Sequence, residues 1–200
     1  LDLQKQKLAM RYPELKNNEK FKIGLLIGGD AKDVYLSEEQ IKSLVFQVKD
    51  ICADKKADII LTTSRRTPIK MEEFICNELK NKDYCPVLIL ANERNVPEAV
   101  GGILGFCDVL IVSGDSISMV SEAASSGKSV IVFPAIAKEK EFQGFNKHQQ
   151  FMDGLAKEGF VILADVKDVG KNIIDVMRSK QKTKRINDQD VIFQTARRII

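Results

Sequence analysis

The sequence predicts an α/β domain: a doubly wound, mostly parallel six-stranded sheet with helices on both faces, Rossmann-like in plan. Three observations carry this. From residue 21 onward, short β-branched runs alternate with longer helical stretches across polar turns, the pattern of βαβ units. Several strands are continuous apolar runs, Ile59-Ile60-Leu61, Val109–Val112 and Val130–Phe133, as strands buried on both faces require. The 200 residues, 44% of them hydrophobic, can bury a core without help from metal or disulfides.

The elements follow in order. Phe21–Ile27 reads as the first strand, ended by Gly28-Gly29-Asp30. Ser37 caps the next helix and Gln40 completes a capping box, with apolar residues at 41, 44, 45, 48 and 51 forming one buried face. Ala57–Leu61 is the second strand, and Thr62–Pro68 a polar loop in which Thr67 caps a helix opened by Pro68. Pro86–Leu90 is the third strand, followed by the Asn92–Asn95 loop and a glycine-weakened helix over Pro97–Phe106. Asp108–Val112 is the fourth strand, and Ser116–Ser126 a small-residue helix closed by Gly127. Ser129–Phe133 is the fifth, with an excursion over Lys138–Phe145 and a helix over Asn146–Glu158. Phe160–Leu163 is the sixth, then a helix over Val166–Met177, a basic break at Lys180–Arg185 and a last helix over Asp188–Ile200. Domain bounds follow: 1–20 a preceding helix and hinge, 21–180 the Rossmann-like domain, 181–200 the C-terminal helix.

Composition narrows the function classes. With 31 Lys+Arg against 28 Asp+Glu the net charge is +3, too weak for a nucleic-acid partner. No apolar run approaches the roughly 18 residues of a spanning helix, and Leu1–Lys5 is no signal peptide. Cys52, Cys76, Cys85 and Cys107 form no C-x-x-C pair and there is one histidine, His148. A structural metal site is not expected, and the cysteines read as buried thiols in a reducing, cytoplasmic setting.

In an open parallel sheet ligands bind beyond the carboxyl ends of the strands. The loop Ser113-Gly114-Asp115-Ser116-Ile117-Ser118 joins a buried strand to a helix start, where free N–H groups and the helix dipole favour phosphate. Ser116 and Ser118 add hydroxyls; helix capping by Ser116 is the plainer alternative. Asp115 would repel phosphate unless it points away or orients a neighbour. Gly28-Gly29 permits a tight turn and close approach of a ligand, but G-x-G-x-x-G and the P-loop pattern are both absent. Arg65 and Arg66, flanked by hydroxyls at a strand end, suit phosphate or carboxylate. Glu122 is a carboxylate on an otherwise small, apolar helix, and it can accept hydrogen bonds from ribose hydroxyls.

These residues carry a resemblance. The segments KIGLLIGGD (22–30), LTTSRRTP (61–68), Ala91–Asn95, Gly105–Asp108 and VSGDSISMVSEA (112–123) resemble the mitochondrial-fission ELM1-like family over about residues 20–165. That family is in turn similar to the C-terminal, donor-binding domain of GT-B glycosyltransferases. The resemblance implies a nucleoside-diphosphate-sugar site. In it Glu122 holds the ribose and Ser116 to Met119, Ser118 among them, meet the diphosphate or sugar, with Ser113 and Gly114 also part of the site. Gly28 and Gly29 lie near the diphosphate and acceptor, Arg65 or Arg66 meets phosphates, and the Asn92 loop borders the base. No metal and no separate cofactor is implied.

GT-B proteins have two such domains with the general base usually in the N-terminal one, so this chain is expected to be a donor-binding half working with a missing N-terminal domain. Its acceptor is expected at a membrane surface, with the full-length protein peripheral to it. The alternatives are a non-catalytic GT-B-like scaffold, with the last helix as a candidate contact face, or a fragment of a GT-B-like sugar-nucleotide epimerase.

Overall fold

The computed structural model of the chain describes residues 1–16, 19–55, 57–138, 147–179 and 183–186. Its centre is a six-stranded parallel sheet of β1 (Lys22–Ile27), β3 (Asp58–Thr63), β4 (Val87–Ile89), β5 (Val109–Ser113), β6 (Ser129–Phe133) and β8 (Ile162–Leu163). The order across the sheet is β4-β3-β1-β5-β6-β8. The chain therefore winds outward from β1 to one edge, returns, and winds outward from β5 to the other. The reversal lies between β1 and β5, which pair from Ile23↔Val109 to Leu26↔Val112. Two short strands outside this sheet, β2 (Val34–Tyr35) and β7 (Ile136–Ala137), pair antiparallel and tie the segment after β1 to the segment after β6.

Alternate side chains of each strand enter different cores. Ile23, Leu25 and Ile27, Ile59 and Leu61, Val109 and Ile111, and Ile131 and Phe133 join the core under α2 (Glu38–Lys55), α3 (Ile69–Leu79) and α7 (Val169–Ser179). Leu26, Ile60, Leu110, Val112, Val130 and Val132 join the other, under α1 (Asp2–Arg11), α4 (Ala99–Phe106), α5 (Ile117–Ser125) and α6 (Lys147–Lys157). Two-sided burial of this kind is what the continuous apolar runs encode.

Local signals act as expected in most places. Ser37 Oγ accepts from Gln40 N–H at 3.2 Å and Gln40 Oε1 accepts from Ser37 N–H at 3.1 Å, a closed capping box. Ile41, Leu44, Val45, Val48 and Ile51 are all buried. Gly127 follows α5 with φ +75°, a conformation that costs glycine least.

The structure corrects two readings. β3 runs on through Thr62 and Thr63, which the loop was expected to contain; both threonines are buried and Thr63 is hydrogen-bonded. Thr67 is not the cap of α3: Pro68 takes that position, and Thr67 Oγ1 instead accepts from Ser64 N–H at 3.0 Å and donates to the carbonyl of Gly28. Most of the 138–145 excursion and the whole last helix, 188–200, lie outside the described residues. Of the basic break, Thr183–Arg185 is described: Thr183 Oγ1 donates to Lys128 O at 2.7 Å and Arg185 Nε to Ser125 O at 3.1 Å.

The prefix helix α1 packs on α4, and the glycines that weaken α4 as a helix make the contact. A Cβ at Gly102 would stand 2.6 Å from Leu8 Cδ2, and one at Gly101 2.9 Å from Gln4 Cβ. Arg11 Nε donates to Glu98 at 2.6 Å, and Arg94 Nη2 to the Tyr12 hydroxyl at 2.6 Å. Arg11 holds the Glu98 carboxyl below its ordinary range through that bond.

Candidate functional site at the carboxyl ends of the strands

The loops after β1, β3 and β5 meet at the reversal of the sheet, and Asp115 joins all three. Its side chain is wholly removed from solvent. Oδ2 accepts from Gly29 N–H and from Arg66 Nη2, both at 3.0 Å, and Oδ1 accepts from the Ser113 hydroxyl at 2.6 Å. Ser113 Oγ in turn accepts from Gly28 N–H at 2.7 Å. Asp30 N–H donates to Arg66 O at 3.1 Å. Three successive N–H groups of the glycine loop are thus taken by acceptors inside the protein. The glycines themselves answer to the same packing. A Cβ at Gly28 would stand 2.1 Å from both Asp115 carboxylate oxygens, and one at Gly29 2.1 Å from the backbone carbonyl of Arg66.

A second brace fixes the loop after β4. Glu72 of α3 is buried and accepts from Thr63 Oγ1 and, at 3.4 Å, from Asn92 N–H. Thr63 Oγ1 accepts from Ala91 N–H at 2.8 Å, and Asn92 Nδ2 donates to Thr67 O at 2.9 Å. The loops after β3 and β4 are therefore one hydrogen-bonded unit.

The start of α5 is arranged differently. Ser116 caps it, accepting from Met119 N–H at 3.4 Å, and its carbonyl accepts from Val120 N–H. The capping alternative for Ser116 is thus realised, and it leaves the N–H groups of Ile117 and Ser118 without an acceptor among the described residues. These point outward along the helix axis, as first-turn donors do. Ser116 Oγ and Ser118 Oγ lie 3.2 Å apart. Gly114 N–H donates to Phe133 O at 2.9 Å, seating the turn against the end of β6. Met119 is half-buried against the core beneath α1, α4, α5 and α6.

The predicted residues thus fall into two groups. Gly28, Gly29, Arg66, Ser113 and Gly114 are bound to one another or to the sheet. Arg65, Ser118 and Glu122 are exposed, and neither Arg65 nor Glu122 has a hydrogen bond or ion pair among the described residues. Asn92 is exposed but held by its amide. From the sequence, Thr63 and Thr67 read only as loop hydroxyls beside the arginines, with Thr67 as a cap, Glu72 gives no signal, and the bearing of Asp115 stays open. A buried glutamate on an apolar helix face gives little signal until the threonine across from it is known to lie in a strand.

Two depressions of about 530 Å³ each lie along the β4 edge, one of them against Glu72 and Asn92 of the second brace. Tyr12, Lys80, Leu88 and Arg94 line one, and Ile69, Glu73, Asn77 and Asn92 border the other. All four cysteines are free thiols. Burial pushes Cys52 and Cys85 up to about 12 and Cys107 higher still, so these three are unreactive as nucleophiles near neutrality. No group of three or more His, Cys, Asp or Glu capable of holding a metal occurs among the described residues. No described helix is long and apolar enough to cross a membrane.

Comparison with known proteins identifies the fold and the family. The fold matches UDP-GlcNAc 2-epimerase from Methanocaldococcus jannaschii with a TM-score of 0.60 at 14% identity, over 97% of this chain and 49% of that one. It also matches the ADP-heptose LPS heptosyltransferase II of E. coli, with a TM-score of 0.53 at 12% identity, over 90% of this chain and 53% of that one. The architecture is that of the C-terminal domain of the GT-B fold. In sequence, the chain is 27% identical over 155 residues to an uncharacterized protein of Rickettsia prowazekii, covering 40% of its length. It is 36% identical over 75 residues to the mitochondrial fission protein ELM1 of Arabidopsis thaliana, covering 17% of that protein. The chain thus spans less than half the length of these relatives. The sequence model of the mitochondrial fission ELM1 family matches residues 2–196, and the chain belongs to that family.

Proposed function

We propose that this chain is the donor-binding part of a two-domain protein and takes a nucleoside-diphosphate sugar at the carboxyl ends of β1, β3, β4 and β5 for glycosyl transfer. One observation carries the reading. At the reversal of the sheet, the start of α5 presents N–H groups without an acceptor among the described residues, two hydroxyls and, on the same helix, the exposed Glu122, which has no partner among the described residues.

The parts divide the ligand between them. The N–H groups of Ile117 and Ser118 and the hydroxyls of Ser116 and Ser118 take the diphosphate, where the positive end of the helix dipole favours it. Arg65 adds an exposed guanidinium. Glu122 accepts from the ribose hydroxyls, and the Asn92 loop borders the base. During transfer, fixed donors at the helix start would stabilise the charge that collects on the departing diphosphate. A solved structure of the same fold, the M. jannaschii epimerase, is in complex with UDP-GlcNAc and UDP, which supports a nucleotide-sugar ligand.

Calorimetric titration of the chain with UDP, GDP and ADP tests the reading. Saturable binding of one of them, weakened about tenfold or more by Glu122→Ala, is the expected result. Binding of none, by this chain and by the full-length protein alike, would overturn it in favour of a non-catalytic scaffold.

A further inference from the structure

The Asp115–Arg66 pair occupies the middle of the site without facing outward on both sides. The carboxylate is fully buried, whereas the guanidinium is 45% exposed. Arg66 also reaches Asp30 O with Nη1 at 3.4 Å, so its fork is turned toward the β1 loop. A ligand anion at the start of α5 would meet Arg66 as half of a neutral pair. Arg65, one residue away in sequence, is exposed and has no ion pair among the described residues, so its charge is not offset in this way. The glycine loop offers the anion nothing either, since the N–H groups of Gly28, Gly29 and Asp30 are engaged.

We infer that Asp115 sets the charge of the ligand this site accepts: by holding Arg66 it withdraws one cation, so the site favours a diphosphate diester over more highly charged polyphosphates. A nucleotide sugar carries about two negative charges, a free nucleoside diphosphate about three and a triphosphate about four. With Arg66 neutralised, each added charge meets Arg65 and the helix dipole and no further compensation from the pair. Asp115 acts through Arg66 and is a specificity residue, not one that touches the reacting atoms. Its three loop contacts also explain why a carboxylate stands in an anion site: it serves as the internal anion of the glycine loop. The inference rests on the reading of the site given above.

The test is a charge series. UDP, ADP and GDP are each titrated against their own triphosphates at fixed low salt without divalent cations. The proteins are the unaltered chain, Asp115→Asn, and Asp115→Asn with Arg66→Gln. Asparagine can keep the oxygen that accepts from Gly29 N–H and Arg66 Nη2 but removes the charge that neutralises Arg66, which is exposed enough to reach an anion. The ratio of triphosphate to diphosphate affinity is expected to rise about tenfold in Asp115→Asn. It is expected to return to the original value in the double variant, whose pair is neutral again. An unmoved ratio in Asp115→Asn, or a raised ratio that survives in the double variant, overturns the inference. Should the single variant not fold, Arg66→Gln is compared with the double variant: a ratio lowered in Arg66→Gln and restored in the double variant supports the inference, and a ratio unmoved in Arg66→Gln, or lowered in both, overturns it. Nucleotide bound with the ratio unmoved refutes this inference alone, whereas no nucleotide bound by any protein refutes the site reading as well.

Discussion

Asp58 and Asp115 stand at opposite ends of the sheet, and both side chains are wholly removed from solvent. At the amino end, Asp58 opens β3 and accepts from Lys20 Nζ at 3.1 Å, while Asp108 accepts from Lys22 N–H at 2.8 Å. These contacts close the strand starts against one another. At the carboxyl end, Asp115 binds one loop from each of three βα units. Beside it, Arg65, Ser118 and Glu122 remain exposed. The same buried carboxylate chemistry finishes the sheet at one end and frames an open site at the other. In a parallel sheet the loops at the carboxyl ends lead into helix N-termini, whose donors are unsatisfied. That asymmetry, rather than the count of charges, distinguishes the end at which the site is proposed.

Substitutions can separate the two ends. The largest effect is expected from Gly29→Ala, because its Cβ would collide with a backbone carbonyl that cannot turn aside. A loss of about 3 kcal/mol in unfolding free energy is expected by urea denaturation, together with loss of nucleotide binding. A near-neutral result would mean that the loops after β1 and β3 are not locked together.

Asp58→Asn should cost about 2 kcal/mol, the scale of a hydrogen bond to a charged group, and leave nucleotide titration unchanged. Altered binding in Asp58→Asn would erase the distinction between the ends.

The smallest effect concerns α1, at neither end. Arg11 holds the Glu98 carboxyl below its ordinary value, so the folded state binds that proton less readily than the unfolded chain does. The pair's contribution is present above the unfolded carboxylate pKa and is lost as pH falls through the depressed one. Amide exchange in α1 should therefore quicken at acid pH in the unaltered chain. In Glu98→Gln it should be faster at neutral pH and show less of this change. Identical pH dependence in both proteins would remove Glu98 from the docking of α1.

The sheet was legible because two-sided burial writes continuous apolar runs, as in Val109–Val112 and Val130–Phe133. The capping box of α2 was legible because its partners lie three residues apart. Contacts between distant loops were not. Nothing near Thr67 in sequence indicates Gly28 as its partner, and nothing near Asp115 indicates Gly29 or Arg66. The β2–β7 pairing joins two-residue segments about a hundred positions apart, too short to carry a periodicity. In sequence, Gly28 and Gly29 indicate room for a ligand, as any close approach would require. The structure shows a carboxylate and a carbonyl already filling that space.

Amide chemical-shift mapping with UDP, GDP or ADP tests the central claim most directly, because it distinguishes the two candidate anion cradles. The account predicts the largest shifts at the amides of Ile117 and Ser118, with smaller ones at Gly28, Gly29 and Asp30, whose N–H groups are already bonded. The reverse pattern, large shifts over the glycine loop and none at the start of α5, would contradict it.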